Sequence, residues 1–115
     1  MGGGTSRGMM EKEFSVGELA RGEAMVGNRV RNGGRVEEIV EADSRIVRTM
    51  TRIKIRNHEG REEDAISENI YLIERENGKP SVRILAGVNY REGTKEYEEC
   101  AELIEGRRWQ KIILK

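Results

Sequence analysis

Cysteine, histidine and large aromatic side chains are scarce in this chain of 115 residues. The single Cys, at position 100, excludes an intramolecular disulfide and fits a reducing compartment, so the expected setting is cytoplasmic. The single His, at position 58, and that one distant Cys do not make the usual zinc ligand set, so no metal and no cofactor is expected. Gln occurs only at position 110 and Arg outnumbers Lys, a balance compatible with a heat-adapted organism. No apolar run reaches the ~20 residues of a membrane-spanning helix, so no membrane partner is expected. No segment has the basic start and apolar stretch of a signal peptide. The Gly-rich string GGGTSRG near the start lacks the Lys and the GK[ST] ending of a phosphate loop.

What the chain does have is charge. Asp, Glu, Lys and Arg make up 37% of it, yet the net charge is zero, so a polyanion site has to come from local segregation of cations. The apolar residues are patterned, which argues against disorder from residue 14 onward. Residues 1–13 read as a flexible tail and 14–115 as one β-rich domain.

The strongest pattern is the stretch from Arg45 to Arg56, RIVRTMTRIKIR. Successive side chains of a strand point to opposite sides. Val47, Thr49, Thr51, Ile53 and Ile55 therefore share one face. Ile46, Arg48, Met50, Arg52, Lys54 and Arg56 share the other. One face can bury while the other carries four cations.

Other segments follow from local signals. Ser15 and Glu18 form a capping box with Phe14 stapled onto Leu19, and the short helix they start should end near Gly22. Met25–Asn32 and Arg35–Ala42 read as strands around an Asn32-Gly33-Gly34 turn, with Val36 and Val40 on one face and Ile39 on the other. Asn57–Gly60 closes the long basic strand, and residues 61–68 read as an acidic loop. Ile70–Arg75 and Ser81–Val88 flank Asn77-Gly78, a strong hairpin signal. Tyr97, Cys100, Ala101 and Ile104 fall at helical spacing, with Thr94 as N-cap and Gly106 as stop. Arg108–Lys115 reads as a final strand. The expected fold is mainly β: a small barrel or bent antiparallel sheet, one C-terminal amphipathic helix, then a last strand.

Val26-Gly27-Asn28-Arg29-Val30, Gly34-Arg35-Val36-Glu37-Glu38-Ile39, Ile53-Lys54-Ile55 and the run from Ile66 to Glu74 resemble an SH3-like small barrel of the KOW or Tudor type, over about residues 25–74. The resemblance implies a small barrel. KOW-like members commonly bind RNA or ribosomal partners. Tudor-like members bind methylated side chains in aromatic cages, for which Tyr71 is the one aromatic inside the matching stretch.

Three functions are open. The first is a non-enzymatic module that binds RNA or another polyanion, with Arg48, Arg52, Lys54 and Arg56 contacting phosphates and Arg29, Arg31 and Arg35 extending the patch. The same cations also read as a cross-strand salt ladder, since Glu37 and Glu41 share a face with Arg35. The second is an assembly subunit, a homo-oligomer that buries Ile46, Met50 and Trp109. Met50 and Ile46 fit a solvated ladder poorly, so a partner or the helix over 94–106 should cover them. The third is a small toxin-like ribonuclease using His58 beside Glu62, Glu63 and Asp64. Cys100, on the apolar stripe of the helix, reads as a buried hydrophobe.

Overall fold

The computed structural model describes residues 12–114, with side chains throughout except at Ala86 and at 105–114. Six strands run in chain order: β1 (Glu13–Ser15), β2 (Arg29–Asn32), β3 (Arg35–Ala42), β4 (Ile46–Arg56), β5 (Glu62–Glu76) and β6 (Lys79–Arg91). A 3₁₀ helix, Gly17–Arg21, follows β1, and the helix α1 (Lys95–Leu114) follows β6. Their order in the sheet is the order in the chain. β1 pairs in parallel with β2, and every later pairing is an antiparallel hairpin. The sheet curls into a half-barrel.

The local signals account for the turns. At Asn77-Gly78 both residues have positive φ, 52° and 77°, as a two-residue hairpin requires. Ser15 N–H donates to Glu18 Oε1 at 2.8 Å while Glu18 N–H donates to Ser15 Oγ at 3.2 Å, the reciprocal capping box. The 3₁₀ helix ends at Gly22, whose φ is 75°. Thr94 caps α1 by accepting from Tyr97 N–H at 3.2 Å.

Two hydrophobic clusters lie on opposite faces of the sheet. The first gathers Phe14, Leu19, Val30, Ile39, Val47, Tyr71 and Ile73, with Leu19 supplied by the 3₁₀ helix. The second gathers Met50 and Ile66 of the sheet with Cys100 and Ile104 of α1. Alternation along β4 produces both: Val47 and Thr49 face the first cluster, Met50 the second. Each fully buried Leu, Ile or Met contributes roughly 1.5–3 kcal/mol. Met50 is thus covered by the chain's own helix, one of the two covers expected for it.

Several boundaries differ from the expected ones. β2 begins at Arg29, because Met25–Asn28 form a turn in which Asn28 Oδ1 accepts from Met25 N–H at 3.1 Å. Residues 62–68, expected in a loop, belong to β5. The tight turn after Arg56 lets pairing resume at once, with Glu62 opposite Arg56 and Asp64 opposite Lys54. The closing strand expected over Arg108–Lys115 does not form there, because α1 continues to Leu114. One interior glycine costs about 1 kcal/mol, too little to stop a helix followed by good helix formers. The further strand is β1, at the other end of the chain. The tail expected over 1–13 lies outside the described residues up to position 11. Among the described residues, no helix is long and apolar enough to cross a membrane.

Candidate functional site

Pairing register decides which of the seven candidate cations meet. On β4, Arg48, Arg52, Lys54 and Arg56 alternate with Val47 and Thr49 and so share the α1 face with Met50. Arg29 lies opposite Glu38, which lies opposite Met50, so Arg29 and its neighbour-but-one Arg31 point to that face too. Arg35 does not. It points to the first face, where its Nη1 donates to Ser67 Oγ at 3.0 Å.

The six cations on the α1 face are interleaved with carboxylates. Arg48 forms an ion pair with Glu68 through its Nε and a second with Glu41 at 3.2 Å. The Glu68 hydrogen bond raises the Arg48 pKa further above its already high ordinary value. Lys54 pairs with Asp64 at 2.8 Å, and that hydrogen bond raises the ammonium pKa in turn. Arg31 pairs with Glu13 at 2.7 Å. Arg56 stands opposite Glu62 in the register.

Glu41 reaches this face through a β-bulge. The register shifts between Ile39 and Glu41, so Glu41 leaves the face of Arg35 and Glu37 and stands opposite Arg48. Strict alternation, which kept Glu41 beside Arg35, fails at that step.

Glu68 is the buried end of this network. It is 6% exposed and also accepts a 2.7 Å hydrogen bond from the Tyr90 hydroxyl. That bond, with desolvation second, pushes the Tyr90 pKa up to about 12. Burial pushes the Cys100 thiol up as well, away from nucleophile chemistry. A cleft of about 240 Å³ opens between α1 and the sheet, lined by Arg29, Glu38, Met50, Arg52 and Ile104 among others.

A second polar cluster, on the first face, was invisible in the sequence. Glu37 is 1% exposed, on the face that carries the first hydrophobic cluster. Its carboxylate accepts from Thr49 Oγ1 at 2.9 Å, Asn69 Nδ2 at 2.7 Å and the Tyr71 hydroxyl at 2.5 Å. Tyr71 in turn accepts from Asn32 Nδ2 at 3.0 Å, and the Arg35 guanidinium lies 3.9 Å from Glu37. Desolvation, with the Glu37 bond second, drives the Tyr71 pKa well above its ordinary value. Three donors thus converge on the buried carboxylate with a guanidinium nearby, which offsets the cost of burying it.

The residues expected to meet a partner are dispersed. Ile46 is 37% exposed at the start of β4 and Met50 is buried. Trp109 belongs to the backbone of α1, but its side chain lies outside the described residues. His58 is exposed in the β4–β5 turn, where Asn57 rather than His58 organises the backbone, accepting from Glu59 and Arg61 N–H at 2.9 and 3.0 Å. Two of its acidic neighbours are engaged: Glu63 accepts from Asn57 and Arg91, and Asp64 pairs with Lys54.

Exposed apolar side chains lie elsewhere, at Met25 and Val26 before β2 and as a run along β6. Ile84, Leu85 and Val88 are 49%, 48% and 42% exposed. β6 is the terminal strand of the sheet and is 13 residues long, and no strand pairs with its outer edge among the described residues. The apolar content of Ser81–Val88 is visible in the sequence. Its position at an open edge depends on the strand order and is not. Comparison of the chain with protein-family models, with curated proteins and with solved structures finds no match.

Proposed function

We propose that this chain is a non-enzymatic assembly module that associates with further copies of itself through the open edge of its sheet. One observation carries the reading: three large apolar side chains, Ile84, Leu85 and Val88, stand exposed on an unpaired terminal strand. Such an edge presents backbone donors and acceptors beside apolar surface, which is the composition of a strand-pairing interface. The opposite edge is blunted, since β1 has only three residues and Lys12 stands beside it. Static light scattering over a range of concentrations tests the proposal. A mass of two or more chains at micromolar concentration is expected, and a strict monomer throughout contradicts it.

Contact with RNA is the second reading, favoured by one fact, the gathering of six cations on the α1 face. The carboxylates of Glu13, Glu41, Asp64 and Glu68 pair with three of those cations. Cross-strand pairs of opposite charge stabilise a sheet by a few tenths to about 1 kcal/mol each, and a phosphate has to displace them. The ladder is therefore the better account of this face. Retention on heparin that collapses between low and moderate salt would restore the RNA reading.

A further inference from the structure

We infer that the second copy lays its own β6 antiparallel against this one, about a two-fold axis passing between Leu85 and Ala86. The inference rests on the assembly reading above and specifies its geometry. It follows from a bulge and from charge.

The bulge comes first. β6 pairs with β5 in a register that shifts at Ile70/Tyr71, where Tyr71 stands opposite Ile84 and Ile70 opposite Ala86. Leu85 is the extra residue. The two halves of β6 consequently alternate in opposite phase. Before the bulge, Val82 and Ile84 stand opposite Ile73 and Tyr71 of the first face, so Arg83 belongs to the α1 face. After it, Val88 and Tyr90 stand opposite Glu68 and Ile66 of the α1 face, and Asn89 belongs to the first.

Directly opposed residues of an antiparallel pair point to the same face. A two-fold pairing matches the first half of one β6 with the second half of the other. Because the halves are out of phase, an odd-numbered residue has to face an even-numbered one. A register one residue off would turn each side chain against a neighbour from the wrong face.

Charge then selects among the allowed registers. With the axis between Leu85 and Ala86, Arg83 faces Val88 of the second copy and Ser81 faces its Tyr90. Lys79 faces its Glu92, twice by symmetry. Lys79 and Glu92 are both exposed. No two like charges oppose each other. Moving the axis one residue toward either end loses both Lys79–Glu92 pairs. With the axis between Leu85 and Ala86, the small residue Gly87 lies opposite Ile84 of the second copy, which leaves room for the larger partner.

Cross-linking tests the register, with Cys100→Ala in every variant to remove the native thiol. The pair Arg83→Cys/Val88→Cys is expected to give a covalent dimer with a short bismaleimide, while Arg83→Cys/Asn89→Cys is not. Within one chain, residues 83 and 88 lie five positions apart along a strand, about 16 Å, so a short linker reports the contact between copies. Reversing one charge, Lys79→Glu or Glu92→Lys, is expected to weaken the dimer about tenfold, and the double reversal to restore it. A dimer by light scattering that cross-links only through Arg83→Cys/Asn89→Cys, or that ignores the charge reversals, overturns this geometry and leaves the assembly reading standing. A monomer by light scattering overturns both.

Discussion

The hydroxyl of Tyr71 donates a 2.5 Å hydrogen bond to the carboxylate of Glu37, and both side chains are buried at the centre of the sheet. Glu37 comes from β3 and Tyr71 from β5, so the bond spans β4, which contributes Thr49 to the same carboxylate. Three strands are thereby held to one register by one acidic group. Tyr71→Phe removes one of the donors and leaves the charge buried. The expected cost is about 2 kcal/mol, read from the urea midpoint at unchanged slope. Glu37→Leu removes the charge but orphans three donors, and it is expected to cost at least as much.

Gly87 is required by the same cluster. A Cβ at that position would lie 2.9 Å from Asn69 Oδ1, on the side chain that donates to Glu37. Gly87→Ala therefore has to shift the Asn69 amide, which strains its bond to the carboxylate. A loss of about 1–2 kcal/mol is expected in thermal or urea unfolding. Gly34→Ala, which meets nothing within 4 Å, serves as the control with a change under about 0.5 kcal/mol.

The Arg48–Glu68–Tyr90 network makes stability depend on alkaline pH. The Tyr90 hydroxyl donates to Glu68, so its proton is held more tightly in the folded state, with a pKa of about 12 against 10 when free. A raised folded pKa contributes stability that is complete below about pH 10 and is lost as the pH rises toward about 12. Tyr71 acts in the same direction. The unfolding midpoint is expected to fall over that window, and less steeply in Tyr90→Phe. An equal slope in Tyr90→Phe would show that this hydroxyl contributes nothing.

Arg48 matters to the fold more than to a ligand. Its Glu68 partner is nearly buried, so Arg48→Met leaves a carboxylate with the Tyr90 hydroxyl as its remaining partner here. About 2–3 kcal/mol of destabilisation is expected in urea unfolding. Lys54→Met breaks an exposed, solvent-screened pair with Asp64 and is expected to leave the urea midpoint nearly unchanged.

The sequence made the alternation of β4, the Asn77-Gly78 turn, the capping box of Ser15 and Glu18 and the stripe of Tyr97, Cys100 and Ile104 legible, because each is set by contacts within a few residues. In the sequence Glu37 reads as a rung of the salt ladder, since burial of a carboxylate depends on Thr49, Asn69 and Tyr71 converging from two other strands. Alternation places Glu41 on the face of Arg35 because a bulge leaves no mark in an alternating pattern. The apolar run Ile112-Ile113-Leu114 reads equally as strand or helix, as short apolar runs do, and the preceding helix carries through it. The role of β6 as the open edge is a property of strand order alone.

The most direct measurement of the central claim is the mass of the protein in solution beside that of Leu85→Lys/Val88→Lys. Both substitutions lie on exposed positions of β6 and add charge to the proposed interface. A dimer is expected for the parent chain and a monomer with unchanged circular dichroism for the variant. A variant that keeps the parent's mass would contradict that claim.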